Sequence, residues 1–151
     1  MKQIVLSLSF FCILFITTQE VFSFDRNKNI IEDILIQTNN FRKSKGLSKL
    51  VMRNDLNAIA RQHSVDMAKG KVGFGHTGFG ERNAMAKKRI KQMHAFAENV
   101  AYGAASGKEV VNMWEHSAGH RRNLLGQYKY IGIGIAKDKY GRIFYTQVFA
   151  E

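Results

Sequence analysis

The chain has 151 residues, which is enough for one domain of ordinary size and too few for a multidomain enzyme. Hydrophobic residues make up 45% of it and aromatic residues 11%, which excludes a disordered chain and indicates a globular protein with a buried core. Lys and Arg number 23 against 12 Asp and Glu, and the resulting formal charge of +11 favours anionic polymers or membrane surfaces as partners.

The N-terminus has the pattern of an export signal. A short basic start, Met1 to Gln3, precedes an uncharged apolar run over residues 4–17, which is shorter than the roughly 20 residues of a membrane span. We predict cleavage after Ser23, so that residues 1–23 are a signal peptide and residues 24–151 are a single domain; an uncleaved anchor is the alternative. Cys12 lies inside the signal, so the exported part would have neither disulfides nor thiol chemistry.

Helical patterns open the exported part. Apolar residues at helical spacing predict a first helix over residues 27–45, ending at Gly46, and a second helix of about 15 residues between Asn54 and Gly70. Residues 72–80 are dense in glycine and predict a tight loop. The basic residues that follow, over 81–94, predict a helical turn or two with a solvated face.

The second half of the chain predicts strands around one further helix. Residues 96–103 form an extended segment, residues 108–125 a helix, and residues 130–136 and 143–149 a hairpin. Helices preceding strands indicate an α+β class. We expect Trp114 to pack on the sheet above Ile131, Ile133, Phe144 and Val148, and Gly132 and Gly134 to allow close approach of a helix.

The histidines are the first candidates for chemistry. His63 lies on the inner stripe of the second helix, which predicts a buried, hydrogen-bonded residue, whereas His94 beside the basic segment should be exposed. His116 and His120 are spaced as a zinc-binding pair on a helix, but Gly119 between them weakens the helix. That pair alone is a weak metal signal.

Separated motifs carry a stronger signal. They are, in chain order, Thr38 to Arg42 (TNNFR), Gly46-Leu47, His63 to Met67 (HSVDM), His76 to Gly78 (HTG), Glu98 to Gly103 (ENVAYG), Trp114 to Leu125 (WEHSAGHRRNLL), Ile131 to Gly134 (IGIG) and Gln147 to Phe149 (QVF). Together they resemble the CAP superfamily, also called the SCP or pathogenesis-related-1 family, and especially its compact bacterial members. The resemblance covers nearly all of residues 28–150.

The resemblance implies a three-layer α-β-α sandwich with a central antiparallel sheet and a cleft that carries two histidines and two acids. By motif, His76 and His120 take the histidine positions and Glu98 the first acid, whereas the second acid is replaced by Ser117. The three remaining side chains could bind Zn²⁺ as tentative ligands, relay protons without a metal, or hydrogen-bond one another and fix loops to the sheet.

We therefore expect a monomeric, secreted or periplasmic binding module, rather than an enzyme, for a lipid, an envelope glycan or a protein. One alternative is a metal-dependent hydrolase that uses His76, Glu98 and His120, with Ser117 beside them. The other is an electrostatic binder of anionic surfaces whose cations are Arg82, Lys87, Lys88, Arg89 and Lys91, with Lys43, Lys45 and Lys49 nearby. Nucleic acid is not an expected partner, because the basic segment lacks interleaved aromatic residues.

Overall fold

A computed structural model describes the backbone of residues 18–151 and the side chains of residues 27–151. The predicted signal peptide, apart from residues 18–23, lies outside the described residues. Cleavage after Ser23 and the division into residues 1–23 and 24–151 stay predictions.

The described part is a mixed α+β fold. Its helices and strands, in chain order, are α1 (Thr18–Ser44), β1 (Val51–Met52), α2 (Asn54–Ala68), α3 (Phe79–Arg89), β2 (Phe96–Tyr102), α4 (Gly107–Glu115), α5 (Ala118–Leu124), β3 (Tyr130–Lys137) and β4 (Ile143–Ala150).

The sheet has the strand order β1-β3-β4-β2. The three long strands pair antiparallel, as predicted, and their register places Ile133 opposite Gln147 and Asn99 opposite Gln147. β1 adds a short parallel pairing to β3 that the sequence did not predict, because two residues are too few to show an alternating pattern. β2 is consequently an edge strand.

Helices cover both faces of this sheet, which gives three layers. One face packs Ile131, Ile133 and Phe149 against α1, α4 and α5, and the other packs Val148 against Leu56 and its neighbours on α2. Trp114 lies in the first layer and is 1% exposed, as expected for a core residue. The expectation that Phe144 and Val148 lie beneath Trp114 is wrong, since even-numbered residues of β4 face the opposite layer.

Gly132 and Gly134 bring α2 onto β3, as predicted. A Cβ atom at Gly132 would overlap the backbone of Leu56, and one at Gly134 would overlap the backbone of Ala60 and Arg61. A helix backbone cannot move aside as a flexible side chain can. These two glycines therefore set the distance between α2 and the sheet.

The helix predicted over residues 108–125 is two helices. α4 begins after Ser106, whose hydroxyl accepts the Glu109 backbone N–H, and ends at Glu115. The chain changes direction at His116 and Ser117 before α5 begins. This break turns α5 toward β2, where the Asn123 side chain donates to the Glu98 carbonyl at 3.0 Å.

We expect Gly134→Ala to lower the free energy of unfolding by about 1–3 kcal/mol, because the added methyl group overlaps the α2 backbone. Urea unfolding followed by far-ultraviolet circular dichroism measures this. Gly73→Ala is the control, since open space surrounds its Cβ position, and it should change stability by less than about 0.5 kcal/mol. Equal losses in the two variants would contradict the close-packing argument.

Candidate functional site

The free edge of β2 is covered by side chains of α4 and α5. The backbones of residues 95 and 103 hydrogen-bond to Glu151 and Ile143, at the two ends of β4. Backbone groups alternate in direction along a strand, so the N–H and C=O groups of Glu98, Val100 and Tyr102 point away from β4. The Glu98 carbonyl accepts from Asn123, and the Val100 carbonyl accepts from the Trp114 indole at 3.3 Å. Each covering helix is thus bonded to the edge itself.

Beneath this edge lies a buried ion pair between Glu98 and Arg82 of α3. Arg82 Nε donates to Glu98 Oε2 at 2.5 Å and Arg82 Nη2 donates to Oε1 at 2.7 Å, which is a bidentate contact. His76 Nδ1 lies 2.8 Å from Oε1 as well. The Glu98 side chain has no exposed surface, so its charge is balanced within the protein.

The prediction that Arg82 belongs to a solvated basic face is wrong. Its side chain is buried because α3 turns that face toward the sheet, where Glu98 supplies the opposite charge. Lys87, Lys88, Arg89 and Lys91 are exposed, as predicted.

The same network holds the glycine-rich loop between α2 and α3. Arg82 Nη1 donates to the Thr77 carbonyl at 2.8 Å, and His63 Nε2 lies 2.8 Å from the Gly75 carbonyl. Gly75 and Gly78 have φ of 139° and 80°, a backbone conformation that other residues rarely adopt. His63 is buried and hydrogen-bonded, as its place on α2 predicts, and burial lowers its pKa.

The predicted site residues are only partly brought together. His76 contacts Glu98 directly, whereas the His120 ring, on α5, makes no hydrogen bond or ion pair with either of them among the described residues. Burial lowers the pKa of His120, and the nearby His76 lowers it further. His116 is exposed and bonds the Asn112 carbonyl, and His94 is exposed after α3, so neither joins the site.

This arrangement does not fit a zinc ion. Both carboxylate oxygens of Glu98 already accept from Arg82, Oε1 also contacts His76, and the side chain has no exposed surface, so the carboxylate is not open to an incoming metal ion. Across residues 27–151, no three His, Cys, Asp or Glu side chains are grouped so that they could hold a metal ion. The tentative assignment of His76, Glu98 and His120 as zinc ligands stays a prediction that the geometry does not favour.

Beside the edge is a mainly apolar cleft of about 470 Å³. Its lining residues are Phe74, Val100, Ala101, Tyr102, Met113, Trp114, Ser117 and His120. Phe74, Tyr102 and Met113 are large apolar side chains that are 43–52% exposed. The Phe74 and Tyr102 rings meet edge-on with centroids 4.8 Å apart, so the loop that carries His76 also supplies one wall of the cleft.

Sequence reasoning identified Ser117 and His120 but missed the apolar lining. Phe74 stands between glycines in the loop, and Met113 precedes Trp114. The position of Phe74 between two loop glycines was the signal that could have indicated an exposed apolar side chain, since loops lie at the surface and a large apolar residue there is rarely buried.

Comparison with known proteins gives one family. Residues 35–149 match the model of the cysteine-rich secretory protein family, CAP. An uncharacterized membrane protein of Bacillus subtilis, YlbC, is 32% identical over 80% of this chain, but the match spans 34% of that protein. The chain therefore corresponds to about a third of this relative.

Solved structures share the fold. An extracellular protein with an SCP domain from Bacillus anthracis superposes with a TM-score of 0.69 at 28% identity, over 82% of this chain and 40% of that one. An outer surface protein from Borrelia burgdorferi superposes with a TM-score of 0.65 at 20% identity, over 90% of this chain and 96% of that one, and shows likeness of fold alone. Within residues 18–151, the helices are too short or too polar to cross a bilayer.

We expect Arg82→Met to lower the free energy of unfolding by about 3–5 kcal/mol, because it leaves the Glu98 carboxylate buried without its partner. Adding Glu98→Gln should restore part of that loss, since no buried charge then remains. Urea unfolding followed by Trp114 fluorescence measures both. Arg142→Met, which removes a half-exposed guanidinium from its pair with Asp138, is the control and should cost less than about 1 kcal/mol, because the backbone N–H groups of Tyr140 and Arg142 still bond the Asp138 carboxylate. A loss no larger than this control would disprove the buried-pair argument.

The protein should lose stability as the pH falls below about 6.5. Burial lowers the folded-state pKa of His63 below its ordinary value. The charges of Arg82 and His76 lower it further, whereas the hydrogen bond to Gly75 and the charge of Glu98 raise it. The unfolded chain therefore binds a proton at a pH where folded His63 stays neutral. The free energy of unfolding falls by up to about 1.4 kcal/mol per pH unit as a result. Unfolding curves for wild type, His63→Gln and the exposed control His94→Gln measure this. His63→Gln should flatten the slope between about pH 5 and 6.5, and an unchanged slope would refute the assignment.

Proposed function

The chain belongs to the cysteine-rich secretory protein (CAP) family, and we propose that it is a non-catalytic, secreted or periplasmic binding module that holds an amphipathic ligand in the cleft beside β2. The observation that carries the proposal is the exposure of Phe74, Tyr102 and Met113 around one concave surface. Exposed large apolar side chains gathered at a cleft are typical of ligand sites.

The cleft also offers polar groups at one end. Ser117 precedes α5 without a capping bond from its side chain, and His120 lies one turn further along α5. The outward N–H groups of Val100 and Tyr102 have no acceptor among the described residues. An apolar ligand portion could pack against Phe74 and Met113 while its polar end bonds these groups.

This lining favours a lipid over an envelope glycan or a protein. A sugar presents hydroxyl groups on most sides and needs many hydrogen-bonding partners, whereas most of the cleft residues are apolar. A protein ligand would require a wider contact than this cleft of about 470 Å³ provides.

Binding is a better supported proposal than metal-dependent hydrolysis by His76, Glu98 and His120. A general base needs a carboxylate free to accept a proton, and Glu98 is held by two donors from Arg82. Ser117 replaces the second acid that the family pattern provides, and it has no neighbouring base within hydrogen-bond distance among the described residues.

The proposed location outside the cytoplasm has two supports. One is the predicted signal peptide over residues 1–23. The other is that the Bacillus anthracis relative is described as extracellular and the Borrelia burgdorferi protein as an outer surface protein.

Titration with lauroylglycerol below its aggregation concentration tests the proposal, because this lipid is uncharged and contains no phosphate. Trp114 lines the cleft and should report binding by a saturable change in fluorescence. Phe74→Ala should weaken binding about tenfold or more, since it removes roughly 1.5–3 kcal/mol of apolar contact.

Tyr140→Ala is the matched control, because Tyr140 is an aromatic residue that is 71% exposed and does not line the cleft. It should bind as the wild type does. Absence of saturable binding, or equal weakening in the Phe74 and Tyr140 variants, would reject the cleft as a lipid site.

A further inference from the structure

Arg42, near the C-terminal end of α1, is a buried cation without a carboxylate partner. Its side chain is 1% exposed, yet no ion pair joins it to an acid among the described residues. Burial lowers its pKa, as expected for a charge removed from water. Buried arginines usually pair with an acid, so the source of the compensating negative charge needs an explanation.

The protein uses only part of the guanidinium group. Nε donates to the Ser48 carbonyl at 2.9 Å, and Nη1 donates to the carbonyls of Leu124 and Gly126, each at 2.8 Å. Nη2 has no acceptor among residues 27–151. It is also not among the fully buried nitrogen and oxygen atoms that lack a partner, and Arg42 lines an open space at this end of the protein.

That open space is a polar cavity of about 590 Å³ at the end of the molecule where α1, β1 and β3 meet. Its lining residues are Arg42, Gly46, Leu47, Ser48, Lys49, His94, Gln127, Tyr128, Lys129 and Glu151. It is separate from the apolar cleft, with which it shares no lining residue. Arg42, Lys49 and Lys129 contribute permanent positive charges, and Glu151 is the one acid among the lining residues.

The wall next to Arg42 is fixed in place. The Tyr128 ring stacks on Phe149 with centroids 5.3 Å apart and lies so close to Gly126 that a Cβ atom there would overlap it. Burial raises the pKa of Tyr128, so its hydroxyl keeps its proton and is available as a donor. The cavity therefore has a fixed wall beside Arg42, and Lys49 and Lys129 are also among its lining residues.

We propose that this cavity binds a phosphate group, with Arg42 Nη2 donating from the base and Lys49 and Lys129 from the rim. Hydrogen bonds to the loop after α1 and to the end of α5 account for Nε and Nη1 of Arg42, but not for Nη2 or for the presence of two lysines along the same cavity. The Lys129 ammonium lies 5.3 Å from the centroid of the Tyr130 ring, at the edge of this cavity wall.

A phosphate group fits better than a carboxylate. A carboxylate binds arginine best through two parallel hydrogen bonds, and that arrangement is excluded here because Nε and Nη1 are already engaged. One guanidinium nitrogen with two separate ammonium groups can surround a tetrahedral oxyanion carrying about −1.5 to −2 charges.

Inorganic phosphate is the first probe, added to the protein at constant ionic strength against chloride and followed by backbone amide shifts in NMR. Saturable shifts should appear at Ser48, Gln127 and Tyr128. Lys49→Gln with Lys129→Gln should weaken binding about tenfold or more, because two of the three cations are lost. The matched control is Lys87→Gln with Lys88→Gln, which removes the same charge from exposed positions on α3 and should bind as the wild type does.

Two results would overturn the proposal. One is the absence of saturable shifts at millimolar phosphate. The other is equal weakening in the two lysine pairs, which would mean attraction by the overall charge alone. Arg42→Lys gives an independent check if it folds, since it removes Nη2 and keeps the charge, and unweakened phosphate binding in that variant would also contradict the proposed geometry.

Free and lipid-borne phosphate are distinguished by two further probes. Glycerol phosphate tests a soluble phosphomonoester, and phosphatidic acid vesicles, compared with phosphatidylcholine vesicles, test a phosphomonoester headgroup on a membrane. Cosedimentation lost in the Lys49 and Lys129 variant would identify the headgroup, and binding of glycerol phosphate alone would identify a soluble ligand. Lauroylglycerol binding should be unchanged in this variant, so failure of one site is separable from failure of the other.

Discussion

The buried ion pair between Arg82 and Glu98 is the constraint on which the site depends. It joins α3 to the edge strand β2 at a position where the Glu98 side chain has no exposed surface and the Arg82 side chain is 9% exposed. Two charges in such a place are tolerated only if each satisfies the other with good geometry, and the bidentate contact provides this. Because Arg82 also bonds the Thr77 carbonyl, and Glu98 contacts His76, the glycine-rich loop is fixed by the same pair.

Two features form the cleft. One is the glycine-rich loop that the ion pair holds in place, and the other is the break between α4 and α5. The fixed loop places Phe74 against Tyr102, while the break lets Trp114 and Asn123 bond successive outward carbonyls of β2. An edge strand would otherwise be open to pairing with another chain. Here the Glu98 and Val100 carbonyls accept hydrogen bonds, and the part of the edge at Val100 and Tyr102 becomes the floor of the apolar cleft.

The two buried arginines show how one residue type serves different purposes. The charge of Arg82 is balanced by the Glu98 carboxylate. That carboxylate is held by Arg82 in turn, which weighs against its acting as a metal ligand or a general base. Arg42 is held by carbonyl oxygens, which orient the guanidinium but do not cancel its charge. Lysines on α3 and elsewhere on the surface are exposed, whereas Arg42 places a buried positive charge beside a concave cavity near the end of α1.

The sequence by itself determined the α+β class, the positions of α2 and of the β3–β4 hairpin, the burial of His63 and Trp114, and the close approach at Gly132 and Gly134, because helical period, strand alternation and small residues are local signals. It also identified His76 and Glu98 as neighbours, through the family resemblance. Only the tertiary structure decided which face of β4 Val148 occupies, that Arg82 turns inward, that residues 116–117 interrupt a helix, and that Arg42 lines a cavity. Those features depend on strand register and on partners far apart in the chain, which no local pattern encodes.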